Sequence, residues 1–315
     1  LGDLLQVIGS ARRLVGDESQ EVDLRLHSAR LLGRQRDYLG DDLRELSNLL
    51  TPQVPAALQN AAIERLGRCD DDDLPKVVLG NWAQFSPSVR SRLLDLLVGR
   101  KEWTNQLLDR IAAGHLFAAE IGAVHRGRLL LHSSSEVRRR ANDVLQVARP
   151  ANRQKVIQQY LQAAVQVHDV ERGRQLFRQH CSNCHALEGQ GVNVGPDLHT
   201  LTDYSTESLV VAVLDPNLAL NPRYVEYRAV TIDGRIVSGI VADESGNSIK
   251  LLGAEGNEHV LLRSELDDFN STGQSLMPNG LEQLITEPID LAALVHYVQE
   301  ITKRAEKGQV KGNGK

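Results

Sequence analysis

Five consecutive residues in this 315-residue chain have types and spacing that could do chemistry together: Cys181-Ser182-Asn183-Cys184-His185. Two thiols with two residues between them fall on one helical turn, where each can add across a vinyl group of haem to form a thioether. The adjacent His185 can then present its imidazole to the iron from the same turn. Two other chemistries use similar strings. A zinc site needs two further ligands at matching spacing, and the one remaining cysteine, Cys69, is distant in sequence. A thioredoxin-like dithiol needs a βαβ setting, which this sequence lacks. The string therefore reads as the attachment site of one covalent haem c, with Cys181 and Cys184 as thioether donors and His185 as axial ligand.

A second axial ligand has one leading candidate. Met277 is the chain's single methionine, and it lies in Ser275-Leu276-Met277-Pro278-Asn279-Gly280. Methionine usually fills cores. A polar loop punctuated by Pro and Gly is a poor place for a core filler and a good place for a thioether offered to iron. Such His/Met ligation favours reduced iron and raises the potential. Three histidines compete with it: His180 beside Cys181, His199 and His296.

Positioning these groups falls to elements of two kinds. From residue 2 to about 147 apolar positions recur at three and four, as in Leu58, Ala61, Ala62, Leu66 and in Val89, Leu93, Leu94, Leu97. Three such runs end at Gly33, Gly67 and Gly99, spaced 34 and 32 residues apart. Glycine there predicts left-handed helix C-caps. Helix pairs at such a period predict an α-solenoid with HEAT-like units, the pairs Val89-Arg90 and Val137-Arg138 each opening a second helix. Pro150 punctuates the chain, 151–168 reads as a linking helix, and Val170–His180 as the helix that delivers the pentapeptide. From Tyr224 the period switches to two. Strands are predicted over Val225–Ile232, Ile236–Ala242, Ser248–Leu252 and His259–Arg263, with Asp233-Gly234 as a hairpin turn. They form a small antiparallel sheet or barrel. A last amphipathic helix, Asp290–Ile301, precedes a Lys/Gly tail read as disordered.

Composition narrows the function classes. Residues 1–168 carry 23 Lys+Arg against 20 Asp+Glu, and 169–315 carry 13 against 21. Nothing concentrates positive charge, so nucleic acid is not an expected partner. No apolar run reaches membrane-spanning length. The chain starts at Leu1 without a signal peptide, as a mature product or a piece of a longer protein would. Asp70–Asp73 lacks the alternating ligands of a calcium loop and reads as structural. Arg138–Arg140 reads as a solvated helix face, and Tyr224 and Tyr227 as sheet packing.

Residues 169–222 with 270–303 resemble a class I cytochrome c domain. Gly173 and Phe177 match that family's packing contact with the terminal helix, here Leu294 and Tyr297. Gly195-Pro196-Asp197-Leu198 resembles the loop whose proline carbonyl accepts the proximal histidine's Nδ1–H, which gives Pro196 its expected role. The 92 residues from His185 to Met277 exceed the ordinary spacing, and the β segment accounts for the excess. With that insert, the chain resembles the haem-binding domain family known from planctomycete and verrucomicrobial proteins, in which such a domain follows helical repeats. Tyr224, Val230, Asp233-Gly234, Gly239 and Ser275-Leu276-Met277-Pro278 carry the likeness.

The resulting expectation is a mostly α chain. A HEAT-like domain spans 1–150 and a linking helix 151–168. A cytochrome c domain spans 169–303 with a β insert at 224–269, and a flexible tail spans 304–315. Its expected work is one-electron transfer to a redox partner protein or domain. The resemblance implies an extracytoplasmic location, in the periplasm or on the outer face of a membrane. In that family the repeats often follow a dehydrogenase-like propeller, absent from this sequence, so the resemblance implies that any substrate oxidation belongs to a missing N-terminal segment or to another protein. A haem enzyme of peroxidase or dehydrogenase type, or a haem-based sensor with an open or labile sixth position, are the alternatives.

Overall fold

The computed structural model describes residues 2–145, 151–164, 169–218 and 220–312. Pro150 therefore lies outside the described residues. The chain is mostly helical. Its first part is α1 (Gly2–Val15), α2 (Val22–Leu31), α3 (Leu39–Asn48), α4 (Ala56–Leu66), α5 (Leu74–Gly80), α6 (Pro87–Leu97), α7 (Lys101–Ala112), α8 (Ala123–Leu130) and α9 (Ser135–Leu145). Then follow α10 (Ala151–Ala164), α11 (Val170–His180) and α12 (Thr206–Leu214). Strands β1 (Val225–Thr231), β2 (Ile236–Glu244), β3 (Ser248–Leu252), β4 (Glu258–Leu262) and β5 (Leu266–Ser275) come next, and α13 (Pro288–Gly312) closes the chain. By contact the described residues fall into two units, one built on α1–α9 and most of the strands, the other on α10–α13.

In the first unit α2, α4 and α6 pack in one row and α3, α5, α7 and α9 in another. The apolar faces meet in a continuous core that includes Leu32, Leu58, Leu66, Leu93, Leu97, Leu107 and Val137. Side-chain pairs repeat along the rows with partners 30 to 35 residues apart: Arg92 with Asn60, Arg100 with Asp70, Arg128 with Asp95, and Arg140 with Asn105 and Asp109, while the Gln106 side chain donates to the backbone carbonyl of Asp72. Arginines also reach back to carbonyls near preceding helix ends, which lack intrahelical donors. Arg25 donates to Val15 O, Arg65 to Leu32 O and Gly33 O, Arg90 to Trp82 O and Ala83 O, and Arg138 to His132 O and Ser133 O.

Several expectations need correction here. Of the three glycines, Gly33 alone is left-handed, at φ +70°. Gly67 has φ −63° and is glycine for room, since an added Cβ would lie 3.0 Å from Leu96 Cδ2. Arg138 and Arg140 are bonded to protein groups rather than simply solvated. The reading of Asp70–Asp73 as structural needs no change, since Asp70 and Asp73 pair with Arg100 and Lys76.

The strands form one sheet in the order β4-β3-β2-β1-β5, with β1 and β2 antiparallel and Val230 opposite Ile236. That order leaves two edges rather than a closed barrel. Gly234 takes φ +83° in the predicted Asp-Gly turn. Strand β5 is absent from the sequence reading, which ended the sheet at 269. Asp267, Asp268, Asn270 and Gly273 are poor strand formers, yet the segment lies beside β1, where Thr272 Oγ1 donates to Glu226 O at 3.1 Å. The sequence reading also attached the strands to the cytochrome-like part. Most of their contacts fall instead with the helices: buried Arg263 donates to Pro52 O, Ser88 Oγ to Glu244, and Arg90 lies over the Tyr227 ring, which stacks on Phe269 at 5.1 Å.

The second unit is organised by the crossing of α11 and α13. Asp169 caps α11 by accepting the Arg172 N–H at 2.9 Å. Phe177 and Tyr297 are fully buried with ring centroids 5.7 Å apart, and Leu176, Leu187, Val210, Leu291 and Leu294 complete the core. Gly173 sits at the crossing, against Ala293 and Tyr297. A Cβ there would lie 2.1 Å from Ala293 O. Helix α13 continues past Ile301 to Gly312, so most of the stretch read as a tail is helical; 313–315 lie outside the described residues.

Two predictions follow from this crossing. Gly173→Ala should destabilise the protein by about 1–3 kcal/mol in urea unfolding, and an unchanged midpoint would refute the close approach. Arg172 bonds Asp290 and holds its carboxyl below the usual carboxylate range. That contribution is present above about pH 4 and is lost as pH falls through the lowered value. The pair is partly exposed, so Asp290→Asn should remove only about 0.5 kcal/mol, chiefly at low salt and neutral pH.

Candidate haem-binding site

Helix α11 ends at His180, and Cys181 is its C-cap residue, with its N–H on Phe177 O at 2.8 Å. The chain then makes a tight turn in which the N–H groups of Cys184 and His185 both donate to Cys181 O. Both thiols and the imidazole thus come from one turn, as the spacing predicts. Cys181 and Cys184 are free thiols. Burial, with Cys184 beside it, pushes the Cys181 thiol up to about 12. Burial also raises Cys184, against a backbone hydrogen bond from Glu255 that opposes the rise. Both thiols are thus held above their ordinary range by burial.

The imidazole is fixed from below. His185 Nδ1 lies 3.1 Å from Pro196 O. A carbonyl only accepts, so Nδ1 carries the proton and Nε2 keeps its lone pair. Burial pushes His185 below its ordinary range, and the Pro196 bond opposes that only in part, so the ring is neutral near pH 7. The loop bearing Pro196 is tied to the pentapeptide by Val194 and Gly195, whose N–H groups both donate to Cys184 O, at 3.0 and 2.7 Å. Gly195 touches the ring itself: a Cβ there would lie 2.3 Å from His185 Cε1. Gly191, at φ +85°, closes the turn, where a Cβ would lie 2.2 Å from His185 O.

Three features of this site carried no sequence signal. Glu255, in the loop between β3 and β4, takes φ +64° and donates its N–H to Asn183 O at 2.8 Å. Glu188, at φ +52°, accepts from Arg174 and from the Tyr297 hydroxyl, fastening the segment after the pentapeptide to α11 and α13. Asn217 donates to Asn279 and accepts from Ser275 N–H, on either side of Met277. Such contacts join residues far apart in sequence, so no local pattern announces them.

Met277 is half-buried in the same unit, on the loop between β5 and the short turn Leu281–Gln283, and donates its N–H to Ser275 Oγ at 3.1 Å. His180 is the last residue of α11. His199 follows the Pro196 loop, its Nδ1 buried and without a hydrogen-bond partner. His296 lies on α13 between buried Val295 and Tyr297. Among the described residues, no set of three His, Cys, Asp or Glu is gathered as a metal cluster.

The residues present fit a covalently held haem. Two thiols share a turn with an imidazole whose Nε2 is free, and the loops around them are glycine where a side chain would collide. The family model described as Cytochrome c matches residues 170–230, covering α11, the pentapeptide, Pro196, α12 and most of β1. No curated protein matches the chain. The match supports a cytochrome c domain in this segment, and with it a covalent c-type haem, haem-based electron transfer and a redox partner. No helix among the described residues is long and apolar enough to cross a membrane.

Gly195→Ala should drive the imidazole off the Pro196 carbonyl and weaken axial binding about 10–100-fold. The check is the high-spin fraction in the oxidised spectrum. A spectrum as low-spin as the parent's would show that the ring tolerates the methyl group.

Proposed function

We propose that this chain combines a single-haem electron-transfer module, with His185 and Met277 as axial ligands, and a HEAT-like helical scaffold. The observation that carries the reading is the His185 Nδ1–H donated to Pro196 O, which leaves Nε2 as the one ring atom able to bind iron. The chain's uniqueness of methionine, and the bracing of its loop by Ser275 and Asn217, support Met277 as the sixth ligand.

When bound, the haem supplies a one-electron Fe(III)/Fe(II) couple. The protein's residues do the rest. Cys181 and Cys184 would hold the group through thioether sulfurs, and His185 through Nε2. Pro196 holds the ring of His185 in one tautomer, so an electron can be exchanged without any proton moving at that nitrogen. Phe177, Leu176 and Leu187 belong to an apolar core against which Cys181 and Leu198 pack, which supports a site that would limit water. The repeating rows of α2–α7 and α9, with their partners 30 to 35 residues apart, support a solenoid reading, and extended repeat surfaces are binding surfaces. The scaffold would orient the haem toward its redox partner in a larger dehydrogenase-type protein. The resemblance to cytochrome c domains supports an extracytoplasmic reading, in the periplasm or on a membrane's outer face.

The test is spectroscopic. The matured protein should keep its pigment through acid-acetone extraction, and Cys181→Ala/Cys184→Ala should lose it. The oxidised protein should show the weak far-red sulfur-to-iron band, and Met277→Ala should abolish it while keeping the covalent haem. A high-spin, five-coordinate parent spectrum would overturn the His/Met assignment in favour of a haem enzyme or sensor.

A further inference from the structure

The segment that presents Met277 is short and mostly polar, and Pro278, Asn279 and Gly280 follow it directly. A methionine sulfur is a neutral and exchangeable ligand, so its hold on iron depends on how firmly its loop is placed. Two side-chain bonds meet on one residue outside that loop. Asn217, just beyond α12, accepts the Ser275 N–H on Oδ1 at 2.7 Å and donates through Nδ2 to Asn279 Oδ1 at 3.0 Å. Ser275 and Asn279 flank Met277 symmetrically, two residues on either side. The carboxamide therefore spans the five-residue segment as a staple, using one acceptor and one donor. Inside it, Ser275 Oγ accepts the Met277 N–H at 3.1 Å.

The stretch just outside the staple is also held. Arg153 on α10 pairs with Glu282, three residues past Asn279, and donates to Leu214 O at the end of α12. Leu214 is fully buried, so the end of α12 is a fixed point, and Asn217 follows it by three residues. One anchored helix end thus positions both the staple and the turn after it.

We propose that Asn217 is the positioning residue for the sixth ligand: it sets how strongly Met277 competes for the iron without touching the haem iron itself. The inference rests on the His185/Met277 reading. Its consequence is graded, because the carboxamide makes two separable bonds. Asn217→Ala removes both. Asn217→Asp keeps the acceptor for Ser275 N–H and loses the donor to Asn279. Asn279→Ala removes only the second bond from its other end.

The experiment is displacement of the sixth ligand by exogenous imidazole in the oxidised holoprotein, followed at the far-red band. Relative to the parent, Asn217→Ala should bind imidazole about tenfold more tightly, the scale of one or two lost hydrogen bonds. Asn217→Asp and Asn279→Ala should each shift it about threefold, with the reduced haem spectrum and helical content unchanged. Parent-like imidazole affinity in Asn217→Ala would overturn the inference while leaving Met277 as ligand. Should Asn217→Ala fail to fold, Asn279→Ala carries the test on the same terms. A parent protein without the band, or a Met277→Ala variant that retains it, would instead remove the ligand assignment on which the staple acts.

Discussion

One hydrogen bond governs the chemistry of this molecule: an imidazole N–H held by a backbone carbonyl. A side-chain acceptor could itself gain a proton or swing away. The carbonyl of Pro196 can do neither, because the proline ring restrains its backbone and the loop returns to Cys184 O through two N–H donors. The tautomer of His185 is thereby a property of the main chain. Burial and the Pro196 bond act on the ring in opposite directions, and burial dominates, so the free nitrogen is a neutral donor. Gly195 leaves the loop room to approach the ring more closely than any side chain allows, and Gly191 lets the turn close on the backbone of Ser182 and His185 at φ +85°.

Around that bond the second unit is assembled from pieces separated in sequence. Helix α11 delivers the thiols, α12 delivers Asn217, and α13 closes the core against Gly173 and Phe177. The closeness of α11 to α13 follows from the missing Cβ at 173, since interhelical distance is set by the side chains at the contact. Glu188, Arg174 and Tyr297 then join the haem-side turn to both helices, with burial pushing the Tyr297 hydroxyl up to about 12 and so keeping it a donor.

Much of this was legible in the residues. The pentapeptide, the helix bounds Val170–His180 and the Asp-Gly hairpin are local signals with local causes, and the structure places them as read, while the crossing glycine, Gly173, was legible through resemblance. The Gly-Pro-Asp-Leu loop was legible through resemblance, and Pro196 does lie on the His185 ring. What escaped was set by distant partners. Strand β5 is too polar to announce itself and follows from the edge that β1 offers. Gly67 looked like a left-handed cap and is instead a spacer beside Leu96. The Asn217 bonds depend on contacts that no window of sequence contains.

Residues 221–251 and 259–273 belong to the first unit and interrupt the second, which resumes at Gln274. The core around Phe177 needs Leu291, Leu294 and Tyr297 to close, and these lie far along the chain from it. Closing that core therefore draws together a loop of long sequence separation, an entropic cost that local helix formation does not carry.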